Sequence, residues 1–234
     1  MLVDLSPDFT GTASPWLKEH AESRAEMVLS SLLYQAVVLW SKESFESFNQ
    51  LEAALTVRLF GFCLRVIDAD QKTFSQVDAV YESSQPTAAM LSGKSDPTKA
   101  PRPDMTIMMG RTKVRVEAKR LKPSGSLPRK YVKEGMLRFR DERYGLPGEP
   151  GVMIGYIISG DIPVIVRKIN DVISSEWVHG DGEHLGPPTI LGVNLQLHKS
   201  VHPPSLKLLH HMIDLRSIAV RAPSANACGS DVQQ

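Results

Sequence analysis

The sequence predicts an α/β protein with a mixed β-sheet flanked by helices and preceded by an extra N-terminal helix. Three observations favour this fold class: amphipathic helical spacing before residue 60, a turn-linked pair of alternating strands near residue 110, and an apolar strand between two further helices. Helices and strands in this order are typical of an α/β fold. We expect a single domain over residues 16–220, between an N-terminal arm at 1–15 and a small, polar tail at 221–234.

The first part of the chain predicts two helices. Apolar residues recur at helical spacing from Trp16 to Trp40 and again from Phe45 to Phe60. Gly61 is expected to end the second helix, because glycine is the usual residue just beyond a helix C-terminus. The apolar segment from Phe62 to Ala69 is then predicted to be a strand, and the Ser-, Pro- and Gly-rich residues 83–102 an exposed loop.

The second part of the chain begins with two strands on either side of Gly110-Arg111. After them the pattern predicts a helix at Arg129–Tyr144, a strand at Gly151–Ile158, a helix at Ile162–Trp177 capped by Asp161, a strand at Leu191–Leu197, and an apolar run of either type at Leu206–Met212.

Composition excludes several classes of protein. The chain has 42% hydrophobic residues, which is enough for a substantial core, and only two cysteines, Cys63 and Cys228, which argues against a disulfide framework or a structural zinc site. The first residues show no signal-peptide pattern, and no apolar run reaches the length of a membrane span. We therefore expect a cytoplasmic protein that does not enter a membrane.

The predicted strands Met105–Met109 and Val114–Ala118 place two carboxylates face to face. Side chains alternate along a strand, so Glu117 and Lys119 share one face. A two-residue turn at Gly110-Arg111, with a positive φ at the glycine, pairs residues whose numbers sum to 221. This register sets Asp104 opposite Glu117, where like charges destabilise a hairpin.

A divalent cation would resolve this repulsion. Hard cations bind carboxylate and carbonyl oxygens, polarise phosphates and lower the pKa of bound water. Lys119 could then orient or deprotonate that water. The alternative is an ordinary amphipathic hairpin whose charged face is solvated.

These residues resemble the PD-(D/E)XK motif, in which Pro103 and Asp104 are followed by Glu117-Ala118-Lys119 at the end of the next strand. The resemblance covers roughly residues 45–160. It implies a restriction-endonuclease-like core, with Mg²⁺ (or Mn²⁺ in its place) held by Asp104, Glu117 and the Ala118 carbonyl, and with Lys119 as the catalytic lysine.

Glu52 is a further candidate. With 100° per residue and Phe48 at 0°, Glu52 falls at about 40°, on the edge of the apolar stripe of the second helix. An unpaired charge aimed at a core is costly, so a cation or Lys119 would account for it. The resemblance also implies a glutamate on this helix as a catalytic and metal-binding residue. The alternative is a glutamate at the rim that bends into solvent.

The net charge of +1 conceals a basic segment. Residues 99–143 contain 14 Lys and Arg against 5 Asp and Glu, a local net charge of +9. Such a segment favours a polyanionic partner, and the expected nucleic-acid contacts are Arg120, Arg129, Lys130 and Lys133. The alternative is charge balancing by an acidic segment elsewhere in the chain.

The predicted function is Mg²⁺-dependent hydrolysis of phosphodiester bonds in nucleic acid, with DNA as the expected substrate and bacterial defence or DNA processing as the setting. RNA as substrate stays open, as does assembly into a homodimer or a larger complex. The rival is a catalytically silent module of the same fold that binds nucleic acid or partner proteins. Four histidines near the C-terminus, His198, His202, His210 and His211, favour a structural role over a zinc site.

Overall fold

The described part of this computed structural model comprises residues 15–43, 51–84, 92, 94, 96, 98, 100, 102–110, 112–141, 143–144, 150–177, 180–216 and 218, the side chains of 15–22 and 181 excepted. Of the predicted arm only Pro15 belongs to this set, and the predicted tail at 221–234 lies outside it.

Within these residues the chain forms four helices and seven strands. The helices are α1 (Pro15–Lys42), α2 (Glu52–Ala69), α3, and α4 (Ile162–Glu176). Helix α3 is α-helical at Leu127–Lys130, π-helical at Tyr131–Met136 and α-helical again at Leu137–Arg140. The strands are β1 (Val77–Tyr81), β2 (Met105–Met109), β3 (Thr112–Leu121), β4 (Gly151–Ile157), β5 (Thr189–Gly192), β6 (Leu195–His202) and β7 (Leu206–Asp214), and a short 3₁₀ helix spans Gly180–Glu183.

The seven strands form one mixed sheet in the order β1-β2-β3-β4-β7-β6-β5. Strands β3, β4 and β7 are parallel at its centre, and the pairs toward both edges are antiparallel. Helices α1 and α2 pack on one face of the sheet, and α3 and α4 pack on the other. Each pair of helices covers its own apolar cluster. The predicted α/β class with a mixed sheet and flanking helices is therefore confirmed.

The prediction that α2 ends at Gly61 is wrong. The helix continues to Ala69, and the predicted strand Phe62–Ala69 is its last two turns. Buried residues recur along one stripe from Leu55 through Leu59 to Phe62 and beyond, so burial of that stripe outweighs the helix-breaking tendency of one glycine.

The structure also corrects the ends of the sheet. Strand β1 was not predicted, and the predicted strand Leu191–Leu197 is a hairpin, in which β5 and β6 are antiparallel neighbours. The ambiguous run Leu206–Met212 is part of β7. Asp161 does occupy the N-cap position of α4, but its side chain makes no capping hydrogen bond and pairs with Arg216 instead.

Helix α3 is anchored at two points by a buried hydrogen-bond chain. The chain joins six side chains in this order: Tyr131, His210, Ser200, His202, Glu183 and Arg140. Its five links measure 2.9, 2.7, 2.7, 2.6 and 3.0 Å. Both terminal residues belong to α3, while the inner residues belong to the β6–β7 hairpin and the 3₁₀ helix, so the chain ties α3 to the far half of the sheet.

The carboxyl group of Glu183 sets the direction of the bonds in this chain. Its two oxygens accept hydrogen bonds, one from Arg140 and one from Nδ1–H of His202, so Nε2 of His202 accepts from the Ser200 hydroxyl. Nε2–H of His210 then donates to Ser200, and its Nδ1 accepts from Tyr131. Burial lowers the pKa of both histidines, which keeps them neutral as this order requires. Ser200 is 3% exposed, so the chain is structural despite its serine–histidine–glutamate order.

Candidate active site

The predicted register of the β2–β3 hairpin is confirmed. Met105 pairs with Val116 and Met109 with Thr112, so paired residue numbers sum to 221. Gly110 has a φ of 59°, the positive value that the predicted turn requires. Asp104 immediately precedes the first pair, and Glu117 immediately follows Val116 on the other strand.

The site lies just before the first residue of β2, where β3 continues without β2 as its neighbour. Residues beyond Val116 in β3 pair only with β4, so their backbone donors on the β2 side need other acceptors. The N–H of Ala118 donates to Oδ2 of Asp104 at 2.7 Å, and the N–H of Arg120 donates to Oε2 of Glu52 at 3.1 Å. The carboxylates of Asp104 and Glu52 therefore accept the hydrogen bonds that the carbonyls of a neighbouring strand would otherwise accept.

Lys119 lies among the oxygen atoms of this site. Its Nζ donates to Oε1 of Glu117 at 2.6 Å, to the carbonyl of Ala118 at 2.9 Å and to Oε1 of Glu52 at 3.0 Å. An ammonium group has three N–H donors, so all three are used. The structure thus brings the predicted residues Glu52, Asp104, Glu117, Ala118 and Lys119 into one connected cluster.

Glu52 reaches the cluster differently from the sequence-based expectation. It is the first residue of α2 rather than a residue within a helix that began earlier. Both of its carboxylate oxygens are engaged, one by Lys119 and one by the N–H of Arg120. Glu52 therefore holds the lysine and the strand edge in place.

Burial governs the electrostatics of the site. It raises the pKa of Asp104, and burial together with the neighbouring Asp104 charge raises the pKa of Glu117, whose side chain is fully buried. Burial by itself lowers the pKa of Lys119, but the carboxylates of Glu117, Glu52 and Asp104 together outweigh that effect and raise it. Lys119 is therefore an ammonium ion, suited to stabilising negative charge rather than to removing a proton.

Arg138 is a site residue that the sequence-based prediction missed. Its Nη1 donates to Oε2 of Glu117 at 2.9 Å and to the hydroxyl of Tyr144 at 2.7 Å. The sequence carries no signal that singles out Arg138 among the charged residues of α3.

The predicted nucleic-acid contacts on α3 lie elsewhere on that helix. Arg129 and Lys133 pair with the same acidic residue of α4, Glu176, at 2.7 and 2.9 Å, and Lys130 is exposed. These pairs show that part of the basic segment is balanced by acid within the chain. The role of these residues in binding nucleic acid stays a prediction.

The donor atoms fit Mg²⁺ in kind. In the described residues, three or more His, Cys, Asp and Glu side chains do not come together in a group that could hold a metal ion. Mg²⁺, however, is usually held by only one or two carboxylates and retains several waters. Asp104, Glu117 and the Ala118 carbonyl supply hard oxygen atoms, and the ammonium of Lys119 contacts two of these three groups.

The sequence matches none of the protein-family models and none of the curated proteins with which it was compared. In the described part of the chain, no helix is both long enough and apolar enough to cross a membrane.

Proposed function

We propose that the protein is a metal-dependent nuclease of the PD-(D/E)XK superfamily that hydrolyses phosphodiester bonds, with DNA as its substrate. The observation that supports this most is the cluster of Asp104, Glu117 and Lys119 just before β2 begins. Buried carboxylates with raised pKa values beside a protonated lysine are costly for folding alone, and such groups concentrate at functional sites.

Each residue has a role that follows from its contacts. Asp104, Glu117 and the Ala118 carbonyl would hold Mg²⁺, which supplies an activated water and polarises the phosphate when bound. Lys119 carries a fixed positive charge beside these oxygens and would offset the negative charge that develops on the phosphate. Glu52 keeps the Lys119 ammonium in position through its Oε1.

One observation favours a second candidate function. In the described residues, the charges of Glu117 and Lys119 are satisfied without a metal, because Glu117 contacts both Lys119 and Arg138. The same cluster would serve a catalytically silent module that binds nucleic acid or assembles with other proteins.

A nuclease assay separates these functions. The purified chain should cleave nucleic acid in Mg²⁺ or Mn²⁺ when offered single-stranded, duplex and branched DNA, with RNA in parallel. Asp104→Asn and Glu117→Gln should lower turnover by roughly 100-fold or more, the scale expected when one electrostatic contact to the transition state is lost. The matched control is Asp161→Asn, at an aspartate whose side chain is 77% exposed, which should leave turnover unchanged.

Three outcomes would change the conclusion. Binding without cleavage by the wild-type protein would support the silent module. Cleavage of RNA alone would replace DNA as the substrate. Wild-type turnover in a folded Asp104→Asn protein would remove Asp104 from the active site.

A further inference from the structure

Arg138 has an unused hydrogen-bonding edge beside the candidate active site. Its Nη1 donates one hydrogen to Glu117 and the other to the Tyr144 hydroxyl. Among the described residues, Nε and Nη2 have no acceptor, and the side chain is 33% exposed, so solvent or a ligand can reach it. The guanidinium is therefore bound on one side and open on the other.

The open edge has the geometry that phosphate recognition uses. In a guanidinium, the Nε–H and one Nη2–H point the same way, as a fork with two parallel donors. This fork matches two oxygens of a phosphate and gives a bidentate, charge-assisted contact. A structural counterion for Glu117 alone does not require this edge to be left open.

Tyr144 holds the guanidinium in a fixed orientation. Its hydroxyl accepts from Arg138 and donates to the carbonyl of Arg102 at 2.9 Å, and the Arg138 guanidinium carbon lies 5.7 Å from the centre of its ring. Tyr144 itself is buried and packs edge-on against Phe139. Because these contacts fix Arg138 before any ligand arrives, little side-chain entropy is lost on binding.

The charges of the site also leave room for one phosphate. When ionised, the carboxylates of Glu52, Asp104 and Glu117 carry three negative charges, and Lys119 and Arg138 carry two positive ones. A divalent cation would turn the remaining single negative charge into a single positive one. A phosphodiester carries one negative charge, so the loaded site would be complementary to one such group, and without Arg138 it would be neutral.

We propose that Arg138 binds a phosphate of the nucleic-acid substrate through its Nε and Nη2 edge, directly beside Glu117 and Lys119. This inference rests on the proposed nuclease function. It assigns substrate binding to a residue of α3 close to the site, rather than to the lysines and arginines nearer the start of that helix.

The test measures binding and cleavage separately. Binding of fluorescent duplex DNA is followed by anisotropy at several salt concentrations, in an Asp104→Asn background so that cleavage does not interfere. Adding Arg138→Ala should flatten the slope of log K against log salt by about 0.9, the value for one lost phosphate contact on duplex DNA. Arg138→Lys keeps the charge and should retain the slope. The matched control is Arg65→Ala, which removes another arginine that pairs with a glutamate, Glu43, but on the exposed surface of α2.

Cleavage is measured with Asp104 restored. Arg138→Ala should lower kcat/KM by roughly 10- to 100-fold, since hydrogen bonds to charged groups are among the stronger ones. The kcat/KM of Arg138→Lys should lie between those of Arg138→Ala and the wild type, because a lysine lacks the two parallel donors of a guanidinium. Tyr144→Phe, which loosens Arg138 without removing it, should also lower kcat/KM, and this variant keeps the inference testable if Arg138→Ala does not fold.

The outcomes separate the two proposals. If the wild-type protein neither binds nor cleaves nucleic acid, the proposed function fails and the phosphate role fails with it. If the wild type cleaves but the salt slope of Arg138→Ala matches that of the Arg65→Ala control, only the phosphate role is overturned. A loss of cleavage with an unchanged slope would likewise overturn it, and would show that Arg138 acts only through Glu117.

Discussion

The hydrogen-bond chain that anchors α3 predicts a large stability loss from a very small change. Ser200→Ala removes one oxygen atom at the centre of the chain. The substitution leaves Nε2–H of His210 without an acceptor and Nε2 of His202 without a donor, and both atoms lie in side chains no more than 1% exposed. A buried polar group left unpaired costs about 1–3 kcal/mol, so we expect the free energy of unfolding to fall by about 2–4 kcal/mol.

This change is measurable by urea unfolding at neutral pH, with thermal unfolding as a check. For a chain of this length, each kcal/mol corresponds to about 2–4 °C in Tm, so a fall of roughly 10 °C is expected. The control is Ser175→Ala, at an exposed serine that donates only to the Val172 carbonyl, and it should change the free energy by less than about 0.5 kcal/mol. If the Ser200 and Ser175 variants proved equally stable, the chain would not be what holds α3.

Two further predictions concern titratable groups. Because burial raises the pKa of Asp104, its charged form destabilises the metal-free fold. Asp104→Asn should therefore raise Tm by the equivalent of about 1 kcal/mol, and it should abolish the stabilisation of the wild type by millimolar Mg²⁺. Thermal unfolding of both proteins with and without the metal measures these two effects. Burial lowers the pKa of His211 to about 3, against about 6.5 in an unfolded chain, so between these values protons bind to the unfolded state and stability falls as pH falls. Urea unfolding at pH 6, 5 and 4 gives the free energy of unfolding as a function of pH. This free energy should fall less steeply in His211→Leu than in the wild type, by about 1.4 kcal/mol per pH unit. Parallel plots for the two proteins would contradict the burial argument.

The local part of the site was predictable from sequence because its geometry is local. A strand has a strict period of two, and a two-residue turn sets the register of the strands on either side. From these two rules alone, the numbers of Asp104 and Glu117 place them on opposite strands at the same level, and the structure has that register. Lys119 follows from the period of two.

What could not be predicted depends on contacts between distant segments. Arg138 reaches Glu117 across 21 positions, and Ser30 approaches His211 across 181. Nothing in the local pattern indicates which charged residue of α3 turns toward Glu117, since Arg138 has much the same helical surroundings as its neighbours. The error at Gly61 has the same origin, because tertiary packing on the sheet decided that the helix continues.

The shape of the sheet explains why these acids belong to the fold as well as to the proposed chemistry. Strand β2 begins at Met105, so the N–H groups of Ala118 and Arg120 face no neighbouring strand and depend on Asp104 and Glu52. An alanine at Asp104 would remove a metal ligand and a backbone acceptor together, and its inactivity would not tell the two apart. Asparagine keeps an oxygen that can accept from Ala118 and loses only the charge. If the asparagine variant remains folded but inactive, the charge of Asp104 is required for the reaction and not for the fold.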